Sequence, residues 1–181
     1  MSTPSPTVAP AEGRLGVLTV GLGAVASTLI AGVELAKRGL GSPIGALTQM
    51  DTIRLGKRTD NRNPMIKDFV PLARLEDIVW GAWDPFPDDA YVAATRAGVL
   101  ESGKHLEAIS DTLRAIRPMK AAFERNYVKN IDADNIMGKI SKREMLNAIR
   151  ADINKFRDEK KVDRVVMIWC ASTEIFIEPG P

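Results

Sequence analysis

An apolar run, Leu15-Gly-Val-Leu-Thr-Val20, passes directly into Gly21-Leu-Gly23-Ala-Val-Ala26, and the spacing then turns helical. No other feature of the chain constrains its fold as much. A G-x-G-x-x-A that leaves a buried strand and opens a helix has a mechanical reading. The first glycine permits the tight turn out of the strand. The second lacks a Cβ, so the backbone can approach a pyrophosphate. The small third residue lets the helix pack close to the strand. Phosphates then face unpaired N–H groups at the electropositive end of the helix. The candidate ligand-binding residues are Gly21, Leu22, Gly23, Ala24, Val25 and Ala26. The competing reading is a turn of small residues chosen for packing alone.

The rest of the chain repeats the alternation of strand and helix. Ser27 to Arg38 has helical spacing, with Leu29, Ile30, Val33 and Ala36 on one face and Gly39 and Gly41 as the stop. Ile44 to Leu47 is a candidate second strand. Asp77 to Trp80 reads as a short buried strand, and Gly81 to Pro87, with two prolines and a glycine, as a turn. Helices are expected over Asp88 to Leu100 and Leu106 to Ile116, the latter stopped by Pro118. Ser141-Lys-Arg-Glu144 is a capping box that opens a helix carrying Met145, Leu146, Ile149, Ile153 and Phe156 on one stripe. Asp163 to Trp169 is an unbroken apolar strand, which implies cover on both faces as in a parallel sheet. The fold class is therefore α/β: a Rossmann-like, doubly wound, mostly parallel sheet with helices on both faces. Residues 1–13, with Pro4, Pro6 and Pro10 among small residues, read as a flexible tail, and 14–181 as one domain.

Polar groups beyond strand ends are the remaining candidates, because ligands of open α/β sheets bind outside the carboxyl ends of the strands. Asp84, in Gly81-Ala-Trp-Asp84, is placed to accept from ribose hydroxyls or to cap the turn before Pro85. Asp51 is a second ribose candidate, rather late in the chain, and competes with a reading as a surface carboxylate. Cys170 to Glu174 offers small hydroxyl residues past the last strand. His105, the only histidine, has no visible partner and is expected at the surface. Arg54, Lys57, Arg58 and Arg62 read as a solvated loop. Cys170 has no second cysteine and reads as a small buried hydrophobe.

Composition excludes several classes. The 25 basic and 23 acidic residues leave a net charge of +2, which gives no electrostatic reason for nucleic acid as a partner. The single cysteine rules out an internal disulfide and fits a reducing, cytoplasmic setting. The longest apolar stretch, Leu15 to Val33, is broken by four glycines and by Ser27 and Thr28, so it reads as strand plus helix rather than a membrane span. No metal-ligand spacing, P-loop or Ser-His-Asp arrangement is present.

Taken jointly, residues 16–33, Trp80-Gly-Ala-Trp-Asp84, Ile116-Arg-Pro-Met119 and Ile168-Trp-Cys-Ala-Ser-Thr-Glu174 resemble the myo-inositol-1-phosphate synthases in their bacterial form, over residues 14 to about 177. The resemblance implies tightly held NAD and a sugar phosphate. Such enzymes turn glucose 6-phosphate into inositol 3-phosphate by internal oxidation, aldol cyclisation and reduction on one cofactor. It also implies that the glycine turn meets the pyrophosphate and Asp84 the adenosine ribose, while Cys170, Ala171, Ser172 and Thr173 line the NAD site. Many members have Gly-Gly-Asn-Asn where this chain has Gly23-Ala-Val-Ala26, so backbone groups must serve in place of side-chain amides. The family continues well past the length of this chain, and its catalytic lysines and aspartates lie in that continuation. The expectation is thus a truncated amino-terminal portion, inactive by itself, in which the family's homotetramer is doubtful. The alternative is a non-catalytic dinucleotide-binding or interaction module.

Overall fold

The computed structural model describes residues 12–126, 128 and 131–171. Four parallel strands form one sheet: β1 (Leu15–Val20), β2 (Ile78–Asp84), β3 (Met119–Lys120) and β4 (Arg164–Trp169), in the order β3-β2-β1-β4. Strand β1 lies between β2 and β4, with Val20 opposite both Trp83 and Trp169. The chain leaves β1 toward β2 on one side and returns through β4 on the other. The crevice at the carboxyl end of β1 is therefore the switch point of the sheet.

Helices cover both faces. On one, α1 (Ala24–Lys37), α4 (Ala90–Ala97) and α5 (Ser110–Ala115) enclose a core of Val17, Ile30, Leu35, Trp80, Leu106, Ile109 and Leu113. On the other, α6 (Lys142–Lys160) places Phe156 against Leu18, Trp83 and Val162. Two short helices, α2 (Leu47–Met50) and α3 (Ile66–Phe69), lie in the long connection from α1 to β2, and neither has a buried residue.

Several local expectations are corrected. Residues 44–47 form no strand: Ile44 is 84% exposed, and α2 begins at Leu47. Strand β2 continues through Gly81 to Asp84, and the turn waits for Pro85. Gly81 is a packing residue rather than a breaker, since a Cβ there would lie 2.6 Å from Leu18 Cδ2 and 2.9 Å from Phe156 Cε2. Helix α1 starts three residues earlier than its spacing indicated. It buries Ala26, Ser27, Ile30, Ala31, Glu34 and Leu35, while Leu29 faces outward. Helix α4 is shorter than expected, entered through the Asp89 carboxylate that accepts from Val92 N and ended by left-handed Gly98. The helix expected over 106–116 is broken: a wide turn over Ser102–Leu106 and a tight one over Glu107–Ile109 precede α5. The capping box is as read, with Ser141 Oγ accepting from Glu144 N and the Glu144 carboxylate accepting from Ser141 N. Strand β4 is not covered on both faces: Val166 is 47%, Met167 53% and Trp169 74% exposed. Residues 1–11 of the expected tail lie outside the described residues; Glu12 and Gly13 are exposed.

Candidate functional site

A cavity of about 610 Å³ opens at the carboxyl ends of β1, β2 and β4. Its floor is the turn after β1, and the sequence explains why that turn has its shape. Gly21 adopts φ +98°, a conformation side-chain-bearing residues rarely take. A Cβ there would also meet Ala171 N at 2.9 Å. The chain crosses itself closely here: Gly21 N donates to Trp83 O at 2.8 Å, and Cys170 N donates to Val20 O at 2.9 Å.

Gly23 is a different case. Its φ of −78° suits any residue, and a Cβ built on it meets nothing within 4 Å. It is exposed and lines the cavity. Neither the fold nor the packing of this chain therefore demands glycine at position 23. Gly23 is also the N-cap of α1, which has no side-chain cap and no acidic residue in its first turn. The first N–H groups of a helix have no intrahelical acceptor. Here Ser27 N is the first to bond back, to Gly23 O at 3.0 Å. The N–H groups of Ala24, Val25 and Ala26 form an uncapped positive end beside the cavity. Ala26 itself is fully buried, as its role in close helix–strand packing requires, and Val25 is 62% exposed.

Asp84 ends β2 on the cavity wall. Its Oδ2 accepts from Leu22 N at 2.6 Å and its Oδ1 from Phe86 N at 2.9 Å. One carboxylate thus clasps the glycine turn and the turn after β2. Each oxygen keeps acceptor capacity beyond those two bonds. Cys170 and Ala171 close the opposite side. Partial burial pushes the Cys170 thiol above its ordinary pKa, so it is a neutral thiol near pH 7. The remaining walls are mostly apolar, including Phe86, Ala93, Phe123, Ile149, Met167 and Trp169. Arg96, also on the wall, is held by Asp88 at 2.6 Å.

The structure brings together Gly21, Leu22, Gly23, Ala24, Asp84, Cys170 and Ala171 of the residues expected from sequence. Ser172 and Thr173 lie outside the described residues. Asp51 is exposed, in the connection between α1 and β2, and is not among the cavity residues. Arg54, Lys57, Arg58 and Arg62 are exposed as a solvated loop would be. His105 is half-buried rather than superficial, and its Nδ1 has no partner among the described residues. Among those residues no cluster of His, Cys, Asp or Glu is arranged to hold a metal ion. Sequence reasoning missed the wall formed by Ala121, Phe123 and Ile131 and the hydrogen bonds of Asn135 behind it. That segment has neither strand nor helix periodicity, so no pattern marks it.

Comparison with known proteins identifies the family. The family model described as myo-inositol-1-phosphate synthase, an NAD-binding model, matches residues 15–181. The inositol-3-phosphate synthase 1 of Bacteroides thetaiotaomicron is 47% identical over 171 residues, covering 94% of this chain and 39% of the relative. That of Trypanosoma brucei brucei is 30% identical, covering 91% of this chain and 34% of the relative. The crystal structure of the Caenorhabditis elegans inositol-3-phosphate synthase superposes with a TM-score of 0.77 at 27% identity, over 90% of this chain and 35% of that one. The chain spans about two fifths or less of the length of each of these relatives. With its glycine turn, uncapped helix and acid at the end of β2 in place, the chain belongs to the myo-inositol-1-phosphate synthase family, of which it is the NAD-binding portion.

Proposed function

We propose that this chain is the cofactor-holding part of an inositol-3-phosphate synthase that converts D-glucose 6-phosphate to 1D-myo-inositol 3-phosphate. The observation that carries the reading is Gly23: a side chain is missing where the fold leaves room for one, on the floor of a cavity and at the uncapped start of a helix. A pyrophosphate accounts for all three features. In this assignment Gly21 to Ala26 supply the turn, and the N–H groups of Ala24, Val25 and Ala26 face the phosphates. Asp84 accepts from the adenosine ribose hydroxyls with its remaining lone pairs. A carboxylate at this place suits a free 2′-hydroxyl and disfavours a 2′-phosphate, so NAD is preferred over NADP. Cys170 and Ala171 line the NAD site from the cavity wall, and the family resemblance assigns Ser172 and Thr173 to the same site.

NAD supplies reversible oxidation of the sugar, and this chain's residues bind and orient it and keep water from its apolar flanks. No acid or base for the sugar is assigned among the described residues. In the same reading the longer protein works in the cytoplasm as a homotetramer, with neither nucleic acid nor membrane as a partner. The near-balanced charge, the single cysteine and the absence of a membrane-length apolar helix among the described residues are consistent with that.

Calorimetric titration of the chain with NAD tests the reading, with Gly23→Val as the variant. The wild type is expected to bind. The variant is expected to lose at least about tenfold in affinity, or about 1.4 kcal/mol, while the new side chain enters open space and costs stability only as a poorer N-cap, about 1 kcal/mol. Equal binding by both proteins overturns the reading.

A further inference from the structure

Asn135 lies outside every motif of the sequence, in the segment that runs behind the ends of β2 and β3. Its side-chain Nδ2 donates to Asp84 O at 2.8 Å, Met119 O at 3.1 Å and Pro118 O at 3.4 Å. One amide nitrogen has two N–H bonds, so at least one of them is shared among three carbonyl acceptors. The backbone takes part as well: Asn135 N donates to Pro85 O at 3.0 Å, and Asn135 O accepts from Ala121 N at 2.9 Å. A single residue therefore ties the carboxyl end of β2 to the start of β3 and to the cavity wall at Ala121.

The tie to Asp84 has a consequence at the glycine turn. Asp84 is the last residue of β2, where the ladder that fixes the strand runs out. Its two carboxylate oxygens must nonetheless meet two N–H groups, those of Leu22 and Phe86, in different directions. Both bonds are short and directional, and they weaken steeply once the acceptor swings away. The carboxylate keeps both only while its own main chain is held, and beyond the last ladder pair with Lys120 it is Asn135 that holds it, at the Asp84 carbonyl.

We propose that Asn135 is a positioning residue for the dinucleotide turn, acting through Asp84. The path has two links and no intermediary: Asn135 Nδ2 to the Asp84 main chain, then the Asp84 carboxylate to Leu22 N. It rests on the reading that the cavity takes NAD, since the turn's shape matters to affinity only if a ligand lies on it. A residue that merely staples the loop contributes to folding stability and leaves the turn alone.

The test is a double-mutant cycle read by NAD calorimetry, with Asn135→Ala, Asp84→Ala and their combination, beside the amide signal of Leu22 in a ¹⁵N correlation spectrum without ligand. Asp84→Ala leaves the N–H groups of both Leu22 and Phe86 without their carboxylate acceptor. Asn135→Ala is expected to weaken NAD binding about tenfold, to shift the Leu22 amide and to speed its hydrogen exchange. The double variant is expected to bind little worse than Asp84→Ala alone, because Asn135 acts only through the carboxylate already removed. Additive losses overturn the proposal, as does an Asn135→Ala protein with unchanged affinity and an unmoved Leu22 amide, whatever its melting temperature. In either case the NAD reading survives, because the wild type binds. A wild-type chain that does not bind NAD overturns both. If Asn135→Ala does not fold, Asn135→Ser, which retains one donor, is judged by the same criteria.

Discussion

Helices α1 and α6 lie on opposite faces of the same sheet and are stabilised in opposite ways. Helix α1 buries six of its 14 residues, has no side-chain cap and carries no acid in its first turn. Helix α6 buries only Phe156 among 19 residues, but it opens with a closed capping box. Tertiary packing holds the first helix, and its amino end is left with donors unspent. The second satisfies its own amino end and leans lightly on the sheet. The contrast shows where a ligand site can be afforded: at the end of the element whose stability comes from elsewhere.

The burial of α1 includes a charge. The Glu34 carboxylate, 8% exposed in its side chain, accepts from Lys37 Nζ at 2.6 Å and from Trp80 Nε1 at 2.8 Å. Lys37 Nζ also donates to Ile78 O at 2.7 Å, so the network fastens the carboxyl half of α1 to the start of β2. Removing the acceptor leaves a largely buried ammonium without its counter-charge, bonded only to Ile78 O, and the Trp80 indole N–H without an acceptor. Glu34→Ala is expected to cost about 4 kcal/mol, the largest effect of any single change considered for this helix. Urea denaturation measures it, and a loss below about 1 kcal/mol breaks the account of α1 as a helix held from its buried side. The packed and lightly held helices are next compared directly. Ile30 is fully buried on α1, and Leu146 is 49% exposed on α6. Ile30→Ala is expected to cost about 3 kcal/mol and Leu146→Ala less than about 0.5 kcal/mol. Equal losses in the same denaturation series erase the contrast.

The legible parts of this chain are those fixed by sequence neighbours. The strand before Gly21, the turn itself and the Ser141 capping box each depend on a few consecutive residues, and all three stand as read. Strand β2 is longer than its local sequence indicates, because Gly81 looks like a breaker locally. Its lack of a side chain answers Leu18 and Phe156, which lie far from it in the chain. Strand β4 is legible as a strand, but its exposure is not. An apolar run reports what a segment can bury, whereas burial depends on which elements lie against it. The face of α1 was displaced for a related reason. Glu34 counts as polar by type yet is buried, because Trp80 and Lys37 supply its partners. Asp84 is a candidate by its place at a strand end. Its bond to Leu22 N is a long-range contact that no local spacing encodes. Asn135 had no signal at all: its importance lies in three carbonyl oxygens brought together by the ends of two strands.

A change of pH sharpens the comparison at the amino end of α6. Ser141 Oγ donates to the Glu144 carboxylate at 2.7 Å and accepts from Glu144 N at 3.2 Å. The Ser141 hydroxyl first, and its backbone N–H second, hold the Glu144 carboxyl below its ordinary pKa. The folded state thus favours the ionised form more than the unfolded chain does. A group depressed in this way contributes stability above its unfolded pKa, and that contribution is lost as pH falls through the folded value. Ser141→Ala is expected to cost about 1 kcal/mol near pH 7, as loss of a serine N-cap generally does. Its deficit relative to wild type should narrow as pH drops through and below the ordinary glutamate range, because the wild type then loses the ionised partner as well. Ile30 bonds to no titrating group, and Glu34 one turn on keeps its bonds to Lys37 and Trp80 in both proteins, so the deficit of Ile30→Ala should stay level over the same window. Denaturation of the two variants at neutral and acid pH measures both. A Ser141→Ala deficit that does not shrink on acidification shows that α6 draws its end stability from the serine's bond to Glu144 N alone, and the carboxylate half of the box then contributes nothing to the difference between the helices.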